Sequence, residues 1–354
     1  MFLEAHSAGI GAALMAAVLF GASTPVAKLL LGSLSPWLMA GLLYLGSGFG
    51  LGLIRVVQKS APVHLEPREW GWLAAAILAG GVAGPVLLMI GLADMPASGA
   101  SLLLNAEGVF TALLAWFAFH ENFDRRIALG MLAIVAGATV LAWPGEASFG
   151  EAWPALAVLG ACFSWALDNN LTRKVALADA TWIAASKGLV AGMVNLAIAA
   201  TMIGQWPSIS AMLSASVLGL FSYGFSLTLF VVALRHLGSA RTGAYFSIAP
   251  FVGALISLPL LGEELSSRLL LAGGLMAWGV WLHLTEHHAH EHRHEVLEHS
   301  HEHDHDAHHQ HEHESAVPPG VRHSHVHRHE ALAHSHAHFP DAHHRHAHNE
   351  PSVS

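Results

Sequence analysis

Ser98–Trp143 reads SGASLLLNAEGVFTALLAWFAFHENFDRRIALGMLAIVAGATVLAW, and Ala240–Thr285 reads ARTGAYFSIAPFVGALISLPLLGEELSSRLLLAGGLMAWGVWLHLT. A shift of 142 positions lays one on the other, putting Glu121 on Glu263, Arg126 on Arg268, Ala112 on Ala254 and Gly137 on Gly279. Each copy is two long apolar segments joined by a short polar link that carries a glutamate. Paired halves of this kind build many membrane carriers, with the substrate site where the halves meet.

Composition supports a membrane domain. Hydrophobic residues make up 53% of the 354-residue chain and charged residues 12%, against about 25% charged in soluble domains. The average hides a boundary near His283. Before it, 13 acidic and 12 basic side chains are spread among long apolar runs; after it come 12 acidic residues and four arginines. Counting His283 itself, 25 of the 29 histidines lie beyond that boundary, as do about eight of the nine net negative charges. The single Cys162 excludes an intramolecular disulfide and so demands no oxidising compartment. The start MFLEAHSAG lacks a basic leader and runs into an apolar stretch too long for a signal-peptide core, so it is expected to remain as the first span.

A bilayer core takes about 20 apolar residues as a helix, and the backbone must satisfy its own polar groups within the segment. Ten segments qualify, at roughly 8–31, 36–57, 70–92, 96–119, 127–143, 152–172, 181–203, 211–234, 240–261 and 268–284. Lys and Arg in short loops mark the cytoplasmic side. Arg55, Lys59, Arg68, Arg125, Arg126, Arg173, Lys174, Arg235 and Arg241 all fall in even-numbered loops, against Arg268 in an odd-numbered loop and Lys28 near the end of the first span. Both termini are therefore expected in the cytoplasm. Five spans per half is an odd number, so the halves, 8–143 and 152–284, are expected to insert upside down relative to one another. That arrangement permits alternating access around a midplane site.

These features resemble the drug/metabolite transporter superfamily, in the branch built from two EamA domains. The resemblance rests on FGASTPVAK (Phe20–Lys28), on the paired FAFHEN and PLLGEE (Phe117–Asn122, Pro259–Glu264), on the glycine-bearing closing spans ALGMLAIVAGATVL and LAGGLMAWGVWL, and on CFSWALDNNLTRK (Cys162–Lys174). It covers about residues 8–284. It implies a ten-helix secondary carrier whose cavity is lined mainly by the first, third, fourth, sixth, eighth and ninth spans, with the fifth and tenth peripheral. It implies a mechanism and no particular cargo, since the family moves amino acids, nucleotide sugars and drugs. Many relatives carry proline in the fourth span, where this chain has Asn105-Ala106-Glu107-Gly108; the second half keeps Ala249-Pro250.

An ionised group inside a span costs about 2.5–3.5 kcal/mol on insertion scales and is a functional candidate by default. Glu107 lies halfway along its span with no basic residue within a helical turn; it is expected to couple proton movement to export or to pair with a cationic cargo, the alternative being a packing pair across helices. For Lys187, in the seventh span, the reading favours a stem that snorkels to the interface over a partner for Glu107 or Asp168. Asp168, Asn169 and Asn170 sit near the inner end of the sixth span, where an interfacial cap and a site are equally expected. Asn105, Tyr223, Ser226, Tyr245 and Ser247 fall on spans that the resemblance assigns to the cavity, or else bond between helices. Pro25, Pro250 and Pro259 remove helix hydrogen bonds inside spans and suit bending points. Gly46, Gly48, Gly50 and Gly52 give overlapping G-x-x-x-G spacings, read as close helix packing. No phosphate loop, nucleophile triad or H-E-x-x-H is present, so no enzymatic activity is expected.

Residues 285–354 are low in complexity, and too poor in apolar side chains to offset ordering entropy, so a disordered cytoplasmic tail is expected. Neutral imidazoles bind zinc, nickel and cobalt; His287, His288, His290, His292, His294, His299, His301, His303, His305, His308, His309, His311 and His313 are the candidate ligands, exchangeable among many sites. A second reading is a pH-responsive tail, since histidines titrate near pH 6.5.

The fold expected is thus an all-α integral membrane protein of ten transmembrane helices in two inverted five-helix repeats, with a His-rich tail. The function expected is export of a small metabolite across a bacterial inner membrane. The alternatives are a divalent-metal carrier whose tail concentrates its cargo and a non-transporting metal buffer. No cofactor is required beyond divalent metal on the tail. The partners expected are a small-molecule substrate and the bilayer, with no nucleic acid and a homodimer left open.

Overall fold

A computed structural model describes residues 2–63, 65–119, 125–142, 152–172, 175, 179–202, 204–230, 232–233 and 245–285, with backbone strands at 289–293, 297–303, 323–329 and 333–337. Two compact units are present, Met1–Glu286 and His287–Ser354.

The first unit is helical. In chain order its α-helices are α1 (Phe2–Gly21), α2 (Ser23–Leu30), α3 (Pro36–Val57), α4 (Pro67–Ala76), α5 (Gly84–Asp94), α6 (Ala97–Leu103), α7 (Ala106–Phe119), α8 (Arg125–Ala142), α9 (Trp153–Thr172), α10 (Ala180–Met202), α11 (Ile209–Gly219), α12 (Ala249–Leu261) and α13 (Ser267–Leu284). Among the described residues, five helices are long and apolar enough to cross a membrane: Gly9–Leu30, Pro36–Val57, Pro67–Asp94, Thr181–Met202 and Ile209–Phe230. Shorter apolar helices occupy Ala128–Ala142, Ala249–Leu261 and Ser267–Leu282.

The polar dividers in the sequence act as caps, because the first N–H groups of a helix have no intrahelical partner. Ser35 accepts the N–H of Leu38 ahead of α3, and Ser266 that of Leu269 at α13. Glu66 and Glu69 form a reciprocal capping box around Pro67. Gly262, at φ +66°, ends α12 in the left-handed conformation that glycine adopts freely.

The duplication seen in the sequence reappears in the backbone. Residues Ile77–Ala83 and Leu220–Phe225 are π-helical segments inside their spans. The 142-residue shift carries 77–83 to 219–225. The fourth span breaks between α6 and α7 at Leu104-Asn105, and the chain turns again at Ser247-Ile248 just before α12; the same shift sends Asn105 to Ser247. Pro250 falls in the first turn of α12, where its missing N–H would be unpaired in any case. Pro25 lies in α2, just after the interruption at Ala22.

Two antiparallel helix pairs frame the unit. In the first, α3 packs along α10: Gly41 lies on Asn195 and Leu196, Gly48 on Gly188 and Leu189, and Arg55 reaches Asp179. Gly46 and Gly50 lie on Ser216 and Leu220, so three of the four spaced glycines are close-packing positions, while Gly52 faces open space. In the second, α8 packs along α13. A side chain at Gly137 would meet Ala272 and Met276, and one at Gly279 would meet Gly130 and Ile134. Shifting 130, 134 and 137 by 142 gives 272, 276 and 279, so this crossing is two-fold symmetric and antiparallel.

In the second unit the described residues are backbone strands. Strand β1 (Ala289–Arg293) pairs antiparallel with β4 (Ala333–Ala337), and β2 (Leu297–His303) with β3 (His323–His329). The physical reason lies in the spacing: His alternates with Ser, Ala, Glu or Val, which is the two-residue period of a strand. The register sets His290 opposite His336, His292 opposite His334, His299 opposite His327, His301 opposite His325 and His303 opposite His323. His287, His288, His294, His305, His308, His309, His311 and His313 lie outside the described residues.

Candidate functional site

A ring of spans surrounds the middle of the membrane unit. α1 contacts α12, α12 contacts α6, α7 contacts α9, and α9 contacts α5 and the π-segment Ile77–Ala83. The π-segment Leu220–Phe225 closes the ring against α1 and α3.

Glu107 projects from the first turn of α7 and is half-buried. Its Oε1 accepts a hydrogen bond from Asn169 Nδ2 on α9 at 2.9 Å, and the same nitrogen lies 3.5 Å from Thr111 Oγ1. Asn169 is exposed although its helix neighbours Asp168 and Asn170 are buried. Asn170 donates to the carbonyl of Ala166 at 2.9 Å and lies 3.5 Å from the carbonyl of Thr111 on α7.

One helical face over, Asp168 and Lys187 form an ion pair with side-chain exposures of 10% and 16%. Lys187 Nζ lies 2.5 and 2.6 Å from the two carboxylate oxygens and 3.2 Å from Thr172 Oγ1. The snorkelling expected of Lys187 is therefore corrected. A carboxylate nineteen residues earlier, on a neighbouring helix, holds the ammonium inside the protein.

Asp168 also packs onto the backbone of Gly80, where a side chain would collide with its carboxylate. The π-segment makes that seat useful. A π-turn withdraws carbonyls from the regular ladder, and those of Gly80 and Gly81 take side-chain donors instead. Gly80 O accepts from Tyr44 Oη at 2.7 Å and from Trp165 Nε1 at 2.9 Å; Gly81 O accepts from Asn195 Nδ2 at 3.0 Å.

Aromatic rings continue the wall. Tyr44 stands 5.5 Å from Tyr223 between ring centroids, Tyr223 stands 5.6 Å from Phe20, and Phe20 stands 5.5 Å from Phe246. All four are half-buried, and Glu107 lies within electrostatic reach of both tyrosines. Beside Phe20, the residues Gly21, Thr24, Ser101, Leu104, Ala249 and Pro250 meet where the interrupted spans approach, leaving a gap too narrow for a water molecule.

The sequence candidates thus divide. Glu107, Asn169, Asp168, Lys187 and Tyr223 are drawn to one region. Asn105 is buried and caps the local break by donating to Leu102 O at 2.9 Å. Tyr245 packs with Ala12, Ala13 and Ala233, and Ser226 donates to Ala16 O. Pro25 and Pro250 shape the interrupted helices. The residues not anticipated are Tyr44, Trp165, Asn195 and Gly80. The chain has only three tyrosines, and a phenol placed in a span must find a partner; that scarcity was the available signal for Tyr44.

At the opposite end, charged side chains clasp the hairpin between α5 and α6. Lys28 Nζ donates to Leu92 O and Ala93 O, each at 2.7 Å, at the C-terminus of α5. Glu263 accepts the N–H groups of Ala97 at 2.6 Å and Ser98 at 3.0 Å, the start of α6. Its repeat counterpart Glu121 lies outside the described residues. Among the described residues no group of three or more His, Cys, Asp and Glu side chains converges as a metal site would.

An all-helical apolar unit with broken spans and a polar cluster at its centre defines a membrane carrier. The EamA-like transporter family model matches residues 7–143 and 152–285, and the chain belongs to that family, as a two-EamA-domain member of the drug/metabolite transporter superfamily. It is 28% identical over 287 residues to an uncharacterized transporter of Methanothermobacter thermautotrophicus, covering 75% of this chain and 83% of the relative. It is 25% identical to the uncharacterized inner membrane transporter YedA of Escherichia coli K12, over 74% of this chain and 86% of that protein. A probable amino-acid metabolite efflux pump of Salmonella typhimurium is 25% identical, over 77% of this chain and 93% of its own length. A crystal structure at 18% identity shares the fold with a TM-score of 0.60, over 77% of this chain and 95% of the other.

Proposed function

We propose that the protein is a secondary carrier that exports a small organic metabolite across a bacterial inner membrane by alternating access. In this reading the membrane unit is ten spans in two inverted five-span repeats, with both termini cytoplasmic. The two-fold antiparallel crossing of α8 and α13 supports the inversion, and the excess of Lys and Arg in the even loops supports the direction. The observation that carries the function is the central cluster: a half-buried carboxylate, Glu107, held by one exposed amide beside an already neutralised Asp168–Lys187 pair. A carboxylate in that setting is suited to take up and release a proton or cargo as the cavity changes sides. Relatives named as an inner membrane transporter and as an amino-acid metabolite efflux pump support the location and the organic cargo.

The tail is proposed to bind divalent zinc, nickel or cobalt and to serve as a store or sensor. Its histidine density and the cross-strand His pairs support that role. Metal as the cargo is the second reading, and the lack of a convergent ligand group among the described membrane residues favours it less.

Inverted membrane vesicles with an imposed proton gradient test the proposal. Gradient-driven accumulation of a small organic metabolite, abolished in Glu107→Gln, is the expected result. Accumulation of nickel, cobalt or zinc that survives truncation after Glu286 and fails in Glu107→Gln would instead make metal the cargo. Metabolite flux unchanged in Glu107→Gln would remove the coupling role.

A further inference from the structure

Among the described residues the charges around the central cluster do not balance, and that imbalance points to a class of cargo. Each basic side chain whose contacts are described in the membrane unit is committed elsewhere. Lys187 is taken by Asp168 and Thr172, and Lys28 by two carbonyls at the far end of α5. Arg126 donates to Thr285 and stacks over the Trp281 ring at 5.5 Å, and Arg55 pairs with Asp179 at 2.7 Å. Glu107 remains with a neutral amide as its hydrogen-bond partner, and the second carboxylate within its reach, Asp168, already has its counter-ion.

The wall on the other side is aromatic. Tyr223, Tyr44, Phe20 and Phe246 form a continuous half-buried chain. Ring faces carry negative quadrupole charge and attract ammonium groups, most strongly when water is excluded. A carboxylate whose described partner is a neutral amide, with π-faces on neighbouring spans, favours positive charge. Such a site disfavours an anion and offers the carboxylate end of a zwitterion a neutral donor, Asn169, with no described counter-ion.

We propose that the cargo is an organic amine with an apolar or aromatic body, its ammonium seated between Glu107 and the Tyr223–Tyr44 face. This rests on the reading of the Glu107 cluster as the carrier site and narrows its substrate to one charge class.

The test uses purified full-length protein and two ligand sets that share a ring and differ in charge: tryptamine, tryptophan and indole-3-acetate, with phenethylamine, phenylalanine and phenylacetate. Binding is measured by calorimetry, and counterflow in proteoliposomes is measured separately. The amines are expected to bind about tenfold or more tightly than the matched anions. Glu107→Gln is expected to erase that preference and Tyr223→Leu to weaken amine binding while leaving the charge order intact. Glu107→Asp, which restores the charge on a shorter stem, should recover part of the preference. Equal or tighter binding of the anions, no binding of either amine, or amine binding indifferent to Glu107→Gln overturns the inference. Counterflow confined to zwitterions or anions keeps the carrier and rejects the amine. Amine binding with the expected order but no flux of any ligand keeps the site and rejects the carrier.

Discussion

Asp168 and Lys187 show what one residue pair contributes inside a membrane unit. Removing a single partner of a buried ion pair leaves an uncompensated charge and typically costs about 3–5 kcal/mol, whereas replacing both by apolar groups is often neutral. Lys187→Ala is therefore expected to lower the unfolding midpoint in detergent sharply, and Lys187→Met combined with Asp168→Leu to recover most of the loss. If the double variant also transports, the pair is a structural brace for the Gly80 seat and takes no direct part in the cycle. Asp179 behaves differently because it sits at the membrane edge. Burial pushes its carboxyl up, but the Trp182 N–H and the Arg55 guanidinium outweigh that and hold it below the ordinary aspartate value of 3.8. A depressed carboxylate contributes stability above its unfolded value and loses it as pH falls through the folded one. Since its side chain is 44% exposed, the contribution is about 1 kcal/mol at most. The stability gap between the protein and Asp179→Asn should be flat from about pH 5 to 8 and close only below 3.8; a gap that changes between pH 6 and 8 would assign the effect to another group.

At the scale of elements, the five long spans are legible in the sequence because apolar runs of bilayer length and polar punctuation are local signals. Ser35, Glu66, Ser208 and Ser266 all stand where the sequence changes character, and all cap helices. The interruptions were half legible. Pro25 and Pro250 announce two of them, whereas the break at Leu104-Asn105 has no proline and is recognised only as the counterpart of Ser247. The π-segments carry no sequence signal of their own; they are seen once Asp168, Tyr44, Trp165 and Asn195 arrive to use the freed backbone, which is tertiary information. For the same reason Lys187 was misread: its partner lies nearby in sequence, but their distance depends on how α9 and α10 cross. Glu263 shows a further element-level consequence. It holds the first two N–H groups of α6 from the loop after α12, across 165 residues for Ser98, and so ties the start of α6 to the end of α12. In a Cys162→Ser background, Glu263→Ala is expected to increase labelling of Ser98→Cys by a membrane-impermeant thiol reagent added on the side opposite the termini. Unchanged labelling would show that this contact staples α6 without closing anything.

For the whole molecule, the division at Glu286 separates two chemistries that have no need to share a fold. The membrane unit brings no metal-ligand cluster together among its described residues. The tail concentrates 24 of the 29 histidines beyond Thr285 in a pattern that offers many interchangeable sites and no unique one. Ligand redundancy makes the tail insensitive to single substitutions: exchanging His301 alone for Ala should change nickel binding by less than the scatter between preparations, while truncation after Glu286 should remove nearly all of it. Metal binding needs neutral imidazole, so affinity should fall steeply as pH drops below about 6.5. If the tail is a store or sensor, the truncated protein keeps its full rate of organic counterflow without metal, and added nickel changes the rate only when the tail is present. A truncated carrier whose rate still responds to nickel would move the metal site into the membrane unit and reopen metal as the cargo.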